Sequence, residues 1–253
     1  MVREKVVIII PTYNEALNIK EVITEVFEIA KLICDKEINI LIFDSNSTDA
    51  TRALASGLQV IYEKLHLISE PLKSGLGSAY CQAMHYALRE LHADIVVEFD
   101  ADLSHQPKYL IMMLEYISTN DVVMGSRYVS GGSIPKHWAI HRKFLSACGN
   151  IIARLILTPK YKDFTSGFRA TRRSALMKTL PHSFISNHYA YKIELLWRLH
   201  QHKSRILEFP IEFIDRAKGE SKLPTNTIID TLRVLFKLRF QHSLVLIKLK
   251  LNS

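Results

Sequence analysis

Cysteine, proline and glycine are scarce in this chain, and no run of apolar residues is long. Three cysteines, Cys34, Cys81 and Cys148, are spread over 253 residues with no C-x-x-C pair. That excludes a disulfide framework and a cysteine-built zinc site, and a reducing, cytoplasmic compartment is the expectation. Eleven histidines include no H-E-x-x-H. His137 and His141 are four apart, but with no third ligand nearby they read as a surface pair. Nine glycines and eight prolines against 48% apolar residues exclude a disordered chain. No stretch reaches the roughly 18–20 apolar residues of a spanning helix. The start, Met1-Val2-Arg3-Glu4-Lys5, leads into a strand without a signal-peptide pattern.

Charge of one sign is concentrated at the other end. Residues 216–253 hold eight Lys or Arg against two acidic residues, so six of the eight net positive charges lie there. An anionic membrane surface and nucleic acid are the two partners that such a tail suits. From Thr227, apolar Ile229, Leu232, Phe236, Phe240, Leu244, Ile247 and Leu251 recur every three or four positions, among Arg233, Lys237, Arg239, Lys248 and Lys250. This reads as a basic helix with one apolar stripe, which lies in a headgroup region or packs on protein.

The rest of the chain alternates strand and helix signals. Residues 5–10 are a continuous apolar strand that Pro11 should stop, and residues 16–33 carry apolar positions at helical spacing. A buried strand at 38–43 precedes a helix at 48–57, begun by a polar cap and ended by glycine. Strand signals at 60–62 and 66–68 are followed by a helix at 76–91, a strand at 95–99, a helix at 107–118 and a strand at 122–125. Helices are expected at 139–157, 172–180 and 190–202, with short strands at 168–170, 205–208 and 211–214. Fully apolar strands between helices predict an α/β fold with a mostly parallel sheet covered on both faces. Such sheets bind ligands beyond the carboxyl ends of their strands.

The polar loops fall at those ends. Val96-Val97-Glu98-Phe99-Asp100-Ala101-Asp102 is an apolar strand that runs into two carboxylates, a hard-oxygen pair suited to Mg²⁺ or Mn²⁺ and a diphosphate. Pro11-Thr12-Tyr13-Asn14-Glu15 offers a ring to stack and a carboxylate to hydrogen-bond, or else a helix cap. Asp44 to Thr51 is an acid followed by a polar turn. Lys73-Ser74-Gly75-Leu76-Gly77-Ser78-Ala79 puts glycines at a helix N-terminus, which suits an anion, yet fits neither the P-loop nor the Rossmann pattern.

Taken in order, these segments resemble the family 2 glycosyltransferases of GT-A fold, and within them the dolichol-phosphate (polyprenyl-phosphate) mannosyltransferase group. Gly125-Ser126-Arg127-Tyr128, Thr165-Ser166-Gly167-Phe168-Arg169 and Gly219-Glu220-Ser221-Lys222 belong to the same match, which spans roughly residues 5–225. The resemblance implies a transferase domain over residues 1–225 and an associating helix over 226–253. It implies that Pro11, Tyr13, Glu15, Ile42 and Asp44 meet the nucleotide. Asp100, Ala101 and Asp102 would meet the diphosphate, with Asp100, Asp102 and Ser104 at the metal. Arg127 would serve catalysis and the diphosphate, and Arg216 and Lys222 would close over the nucleotide. Arg142, Arg169 and Lys192 would be open to the acceptor phosphate. Asp44 is followed by Ser45 where the family usually has a second aspartate, and Lys192 stands where many relatives carry glutamine.

The activity so implied is inverting transfer of a hexose, mannose from GDP-mannose in first place, to a dolichyl or polyprenyl phosphate. UDP-glucose as donor, a glycan acceptor, and a non-catalytic binding protein are the alternatives. A phosphate acceptor is already anionic, so neither His105 nor Asp163 is expected as an essential general base. The implied placement is peripheral, on the cytosolic face of a membrane, with a membrane-bound partner subunit as a further option and nucleic acid no longer expected.

Overall fold

The computed structural model describes residues 3–135, 140–215, 218 and 226–251, and of 140–147 and 245–251 only the helical course. Arg216, Lys222, His137 and the side chains of His141 and Arg142 lie outside the described residues. Along the chain come β1 (Glu4–Thr12), α1 (Ile19–Ala30), β2 (Lys36–Asp44), α2 (Thr51–Gln59), β3 (Leu65–Ser69), α3 (Leu76–Arg89) and β4 (Ile95–Glu98). Then follow α4 (Tyr109–Tyr116), β5 (Val122–Ser126), α5 (Ile140–Ile156), β6 (Arg169–Arg172), α6 (Arg173–Thr179), α7 (Tyr191–Gln201), β7 (Ile206–Pro210) and α8 (Thr227–Leu251).

The strands form one sheet, ordered β3-β2-β1-β4-β6-β5-β7. β1 pairs in parallel with β2 and β4, β2 with β3, and β5 with β7; β6 alone runs the other way. Parallel neighbours need crossovers, and the helices that supply them cover both faces. β1 shows this residue by residue, because alternate side chains leave opposite faces. Val6, Ile8 and Ile10 join Val22 of α1, Leu58 of α2 and Leu114 of α4 in one core. Val7 and Ile9 join Tyr80 of α3, Leu176 of α6 and Leu195 of α7 in the other. A third cluster ties α5, α7 and α8 through Ala153, Ile193, Trp197, Val234, Leu235 and Leu238. Among the described residues, no helix is long and apolar enough to cross a membrane.

Four local expectations need correction. β1 continues through Pro11 to Thr12. β4 pairing ends opposite Ile9, so beyond it β1 has a partner on one side only, and proline is tolerated at such an edge. Gly57 does not end α2, which runs to Gln59. Residues 60–62 are a turn, with Val60 and Ile61 exposed, and of 211–214 only an isolated bridge at Glu212 remains. The strand order reverses at β1, with β2 on one side and β4 on the other. The loops after β1 and β4 diverge there and open a crevice.

Candidate active site

β4 hands its chain to the crevice through Phe99, which is fully buried. Its N–H donates to Ile9 O at 3.0 Å and its carbonyl accepts the Tyr80 hydroxyl at 3.2 Å, so the strand end is clamped. Asp100 follows, then buried Ala101, Asp102 and Leu103 at φ +58°. A left-handed leucine is uncommon and costs on the order of 1–3 kcal/mol, a strain that folded proteins retain mainly at functional turns. It brings the Ser104 N–H to Asp102 Oδ1 at 3.1 Å, fixing the second carboxylate.

Asp100 is one-quarter exposed, with Oδ2 lying 3.3 Å from His105 Nε2 and 3.8 Å from Lys192 Nζ. His105 is wedged among the rings of Phe99, Phe168 and Phe213, and its buried Nδ1 has no hydrogen-bond partner among the described residues. Packing rather than a second hydrogen bond therefore aims Nε2 at the carboxylate. Lys192 is nearly buried, and Gly167 makes room for it: a Cβ there would stand 2.3 Å from Nζ and 3.0 Å from Asp100 Oδ2.

Arg127, at the end of β5, forms a two-pronged pair with Asp163, Nε to Oδ2 and Nη2 to Oδ1 both at 2.7 Å. Nη2 also donates to Thr165 Oγ1 at 2.7 Å. Burial alone would raise the Asp163 carboxyl, but the guanidinium and backbone N–H donors outweigh it and hold it below the usual range. Burial likewise pulls Arg127 down, and Asp163 more than restores it; the charge of Asp100 also contributes. Asp163 is thus a locked counter-ion and a poor base.

The loops after β1 and β2 are knitted together. Asn14, at φ +54°, receives the Thr48 N–H on Oδ1 at 2.8 Å and donates its own N–H to Ser47 Oγ at 2.9 Å. The Glu15 N–H donates to Thr51 Oγ1 at 2.8 Å. Asp44 is fully buried, with Oδ1 accepting the Thr12 hydroxyl at 3.1 Å and the Ser47 hydroxyl at 2.5 Å. Lys73 Nζ stands 3.3 Å above the Tyr13 ring, bringing a cation from the third loop onto the first. Lys218 completes the ring of contacts: its carbonyl accepts from Asn18 Nδ2 at 3.4 Å, and its Nζ pairs with Glu21 at 3.0 Å.

A family model described as glycosyl transferase family 2 matches residues 7–180. The chain belongs to glycosyl transferase family 2. The polyprenol monophosphomannose synthase of Mycolicibacterium smegmatis is 34% identical over 227 residues, 89% of this chain and 83% of that protein. The undecaprenyl-phosphate mannosyltransferase of Micrococcus luteus is 34% identical over 219 residues, 87% of each. In fold, the chain is similar to the glucosyl-3-phosphoglycerate synthase of Mycobacterium tuberculosis, solved with Mn²⁺, UDP and glucosyl-3-phosphoglycerate. The TM-score is 0.62 at 21% identity, covering 93% of this chain and 78% of that one. A Pyrobaculum calidifontis mannosyltransferase, solved with GDP-Man and Mn²⁺, gives 0.57 at 20% identity, covering 87% and 59%. The GT-A expectation for the fold stands.

Within this family 2 glycosyltransferase, the sequence-expected residues divide. Asp100, Ala101, Asp102, Ser104, Arg127 and Lys192 gather around the end of β4, and Pro11, Tyr13, Glu15 and Asp44 line the adjoining strand ends. Ile42 is different: it has no exposed surface and sits in the core beside Ile10 and Ile40, so it supports the site from beneath. Arg169 must be withdrawn as an acceptor-phosphate residue. It is fully buried, its Nε and Nη2 donate to Glu98 at 2.6 and 2.9 Å, and its Nη1 donates to the Lys192 carbonyl. The glycines at the start of α3 also serve another end than anion binding. The Gly77 N–H donates to Asn187 O at 2.8 Å, and a Cβ on Gly75 would lie 2.4 Å from that same oxygen. The placement of Lys73 over Tyr13 had no signal in the sequence beyond its position ahead of those glycines.

Proposed function

We propose that this glycosyltransferase moves a hexose, mannose from GDP-mannose, to a dolichyl or polyprenyl phosphate with inversion at the sugar. The observation that carries the reading is the pair Asp100 and Asp102 at the strand-order reversal, with the Lys192 ammonium 3.8 Å from Asp100. The names of the two relatives at 34% identity, a polyprenol monophosphomannose synthase and an undecaprenyl-phosphate mannosyltransferase, support the donor sugar and the acceptor class. Two carboxylates and the Ser104 hydroxyl make an oxygen-only donor set, and Asp100 is partly open to solvent, which fits Mg²⁺ or Mn²⁺. Held by Asp100, Asp102 and Ser104, such a cation would neutralise charge on the departing diphosphate. Lys192 and Arg127 add fixed positive charge beside it, already oriented before the sugar leaves. Tyr13, Glu15 and Asp44 hold the nucleoside, and the cations Arg216 and Lys222, outside the described residues, serve its diphosphate. The acceptor phosphate, oriented by Arg142 or Lys192, attacks without a base, in keeping with an Asp163 carboxylate whose proton affinity Arg127 lowers. The membrane side of the reading rests on α8, where Ile229, Phe236 and Phe240 are each more than 60% exposed. On this reading the enzyme sits peripherally on a cytosolic membrane face.

The test combines binding and turnover. With Mn²⁺, GDP-mannose should raise the melting temperature more than UDP-glucose does, since a ligand of the native state stabilises by mass action. Incubation with undecaprenyl phosphate should yield a lipid-linked mannose. Asp102→Ala should melt as the wild type does without ligand, yet lose nearly all turnover at saturating Mn²⁺. Near-normal turnover of that variant would remove the metal assignment, and glucose transfer from UDP-glucose in place of mannose would overturn the donor.

A further inference from the structure

Next to the Arg127–Asp163 pair lies a cavity of about 230 Å³ lined by Tyr128, Asn150, Ile151, Arg154 and Lys162. None of these residues was expected to bind the acceptor. Arg154 Nε is shielded from solvent and has no hydrogen-bond partner among the described residues. Native proteins rarely leave a buried donor of that kind unpaired, so it points to a missing acceptor atom. Lys162 brings a second cation: its side chain is exposed, while its N–H is pinned to Glu208 Oε2 at 2.8 Å. Asn150 joins the cavity to the active site. Its Oδ1 accepts the Phe164 N–H at 2.8 Å, and its Nδ2 donates to Thr165 Oγ1 at 3.4 Å, the hydroxyl that Arg127 also contacts. On α5, Asn150 and Arg154 form one row and Ile151 and Leu155 the next, each pair four residues apart. Ile151 is 50% and Leu155 81% exposed, so two aliphatic side chains stand in the open beside two cations.

We propose that this cavity seats the phosphate headgroup of an amphiphile whose aliphatic chain runs along Ile151 and Leu155. As one part of the polyprenyl phosphate acceptor site, added to the Arg142 or Lys192 named above, it rests on the function proposed there. A phosphate monoester brings several acceptor oxygens and negative charge to the unpaired guanidinium N–H and the ammonium, and charge-assisted bonds of this type are strong. The volume is below the roughly 300–1,000 Å³ of pockets that enclose drug-sized ligands, so it takes a headgroup and its first carbons and not a nucleotide. Asn150 and Tyr128 then carry the phosphate's position to Arg127 and Thr165.

The experiment uses the full chain with GDP and Mn²⁺, and farnesyl monophosphate as the probe. Arg154→Gln/Lys162→Gln should weaken farnesyl phosphate binding by about tenfold or more in calorimetry, the loss expected for charge-assisted hydrogen bonds, and leave GDP affinity unchanged. Lys162→Gln alone, at an exposed position, should move in the same direction and cannot act through unfolding. Ile151→Ser/Leu155→Ser should weaken farnesyl phosphate but not inorganic phosphate. Wild-type farnesyl phosphate affinity in the double charge variant would overturn the proposal. So would an equal loss of GDP affinity, or inorganic phosphate binding as tightly as farnesyl phosphate. If the cavity variants lose binding while the wild type transfers no sugar, the acceptor function fails and the phosphate site stands. If mannose is transferred with an unchanged KM for farnesyl phosphate in the double variant, the site fails and the function stands.

Discussion

Arg127 and Arg169 are both paired with a carboxylate near the end of β4, yet their surroundings give them different work. The Arg169 and Glu98 side chains are each 1% exposed, and the Tyr191 hydroxyl donates to Glu98 Oε1 at 2.9 Å, so this group is closed on all sides. Arg127 retains 9% side-chain exposure and neighbours Asp100 electrostatically. Breaking a buried pair by removing one partner is far more damaging than replacing both, because the remaining charge stays desolvated. Arg169→Met should therefore cost about 3–5 kcal/mol in urea unfolding, and Glu98→Leu/Arg169→Met should recover much of it. A single variant that lost under about 1 kcal/mol would show Glu98 to be less isolated than its burial implies. The Asp163 carboxyl is depressed on folding, so its pairing stabilises fully above the unfolded carboxylate range near pH ~4 and is lost only as pH falls further.

At the scale of whole elements, the glycines of α2 and α3 differ in what surrounds them. A Cβ on Gly77 would stand 2.6 Å from Ser186 O, against backbone that cannot yield cheaply, whereas one on Gly57 would meet nothing within 4 Å. Gly77→Ala should thus lose about 1–3 kcal/mol by overpacking the start of α3 against residues 186–188. Gly57→Ala should gain about 0.5–1 kcal/mol, since alanine is the better helix former. Chemical denaturation of the pair checks both signs at once, and a stable Gly77→Ala would mean that residues 186–188 shift freely. The contrast also shows what the sequence could tell. Apolar runs such as Val6 to Ile10 marked central strands because nothing polar interrupts a strand buried on both faces. Asp100 and Asp102 were legible because a strand end must release its side chains into the crevice. Arg169 was misread because its partner Glu98 lies 71 residues away, a pairing that only the antiparallel β4–β6 ladder brings about. Arg154 stayed hidden because expecting a helix at 139–157 says nothing of a buried Nε without a partner among the described residues.

For the molecule as a whole, the question is how a chain whose described helices are not long and apolar enough to cross a membrane meets a lipid substrate. α8 has two faces. Val234, Leu235 and Leu238 are buried with Trp197 and Ile193, and Asp230 accepts the Ser186 hydroxyl, so that face belongs to the body of the enzyme. Ile229, Phe236, Phe240 and Leu244 form the other, with Arg233, Lys237 and Arg239 exposed among them. Deleting α8 would uncover Trp197 and Ile193 and confuse membrane release with unfolding, so substitutions on the exposed face are the cleaner probe. The full chain should sediment with vesicles rich in anionic lipid. Its binding should weaken as salt shortens the screening length to about 8 Å at 0.15 M. Each cation near such a surface contributes about 1 kcal/mol, so Lys237→Gln/Arg239→Gln should weaken binding roughly thirtyfold. Phe236→Ser/Phe240→Ser should remove the part that survives high salt, with thermal stability kept because neither ring is in the core. Unchanged sedimentation of both double variants would place the membrane contact elsewhere on the enzyme. A wild-type chain that never sedimented would hand the exposed stripe of α8 to a membrane-bound partner subunit.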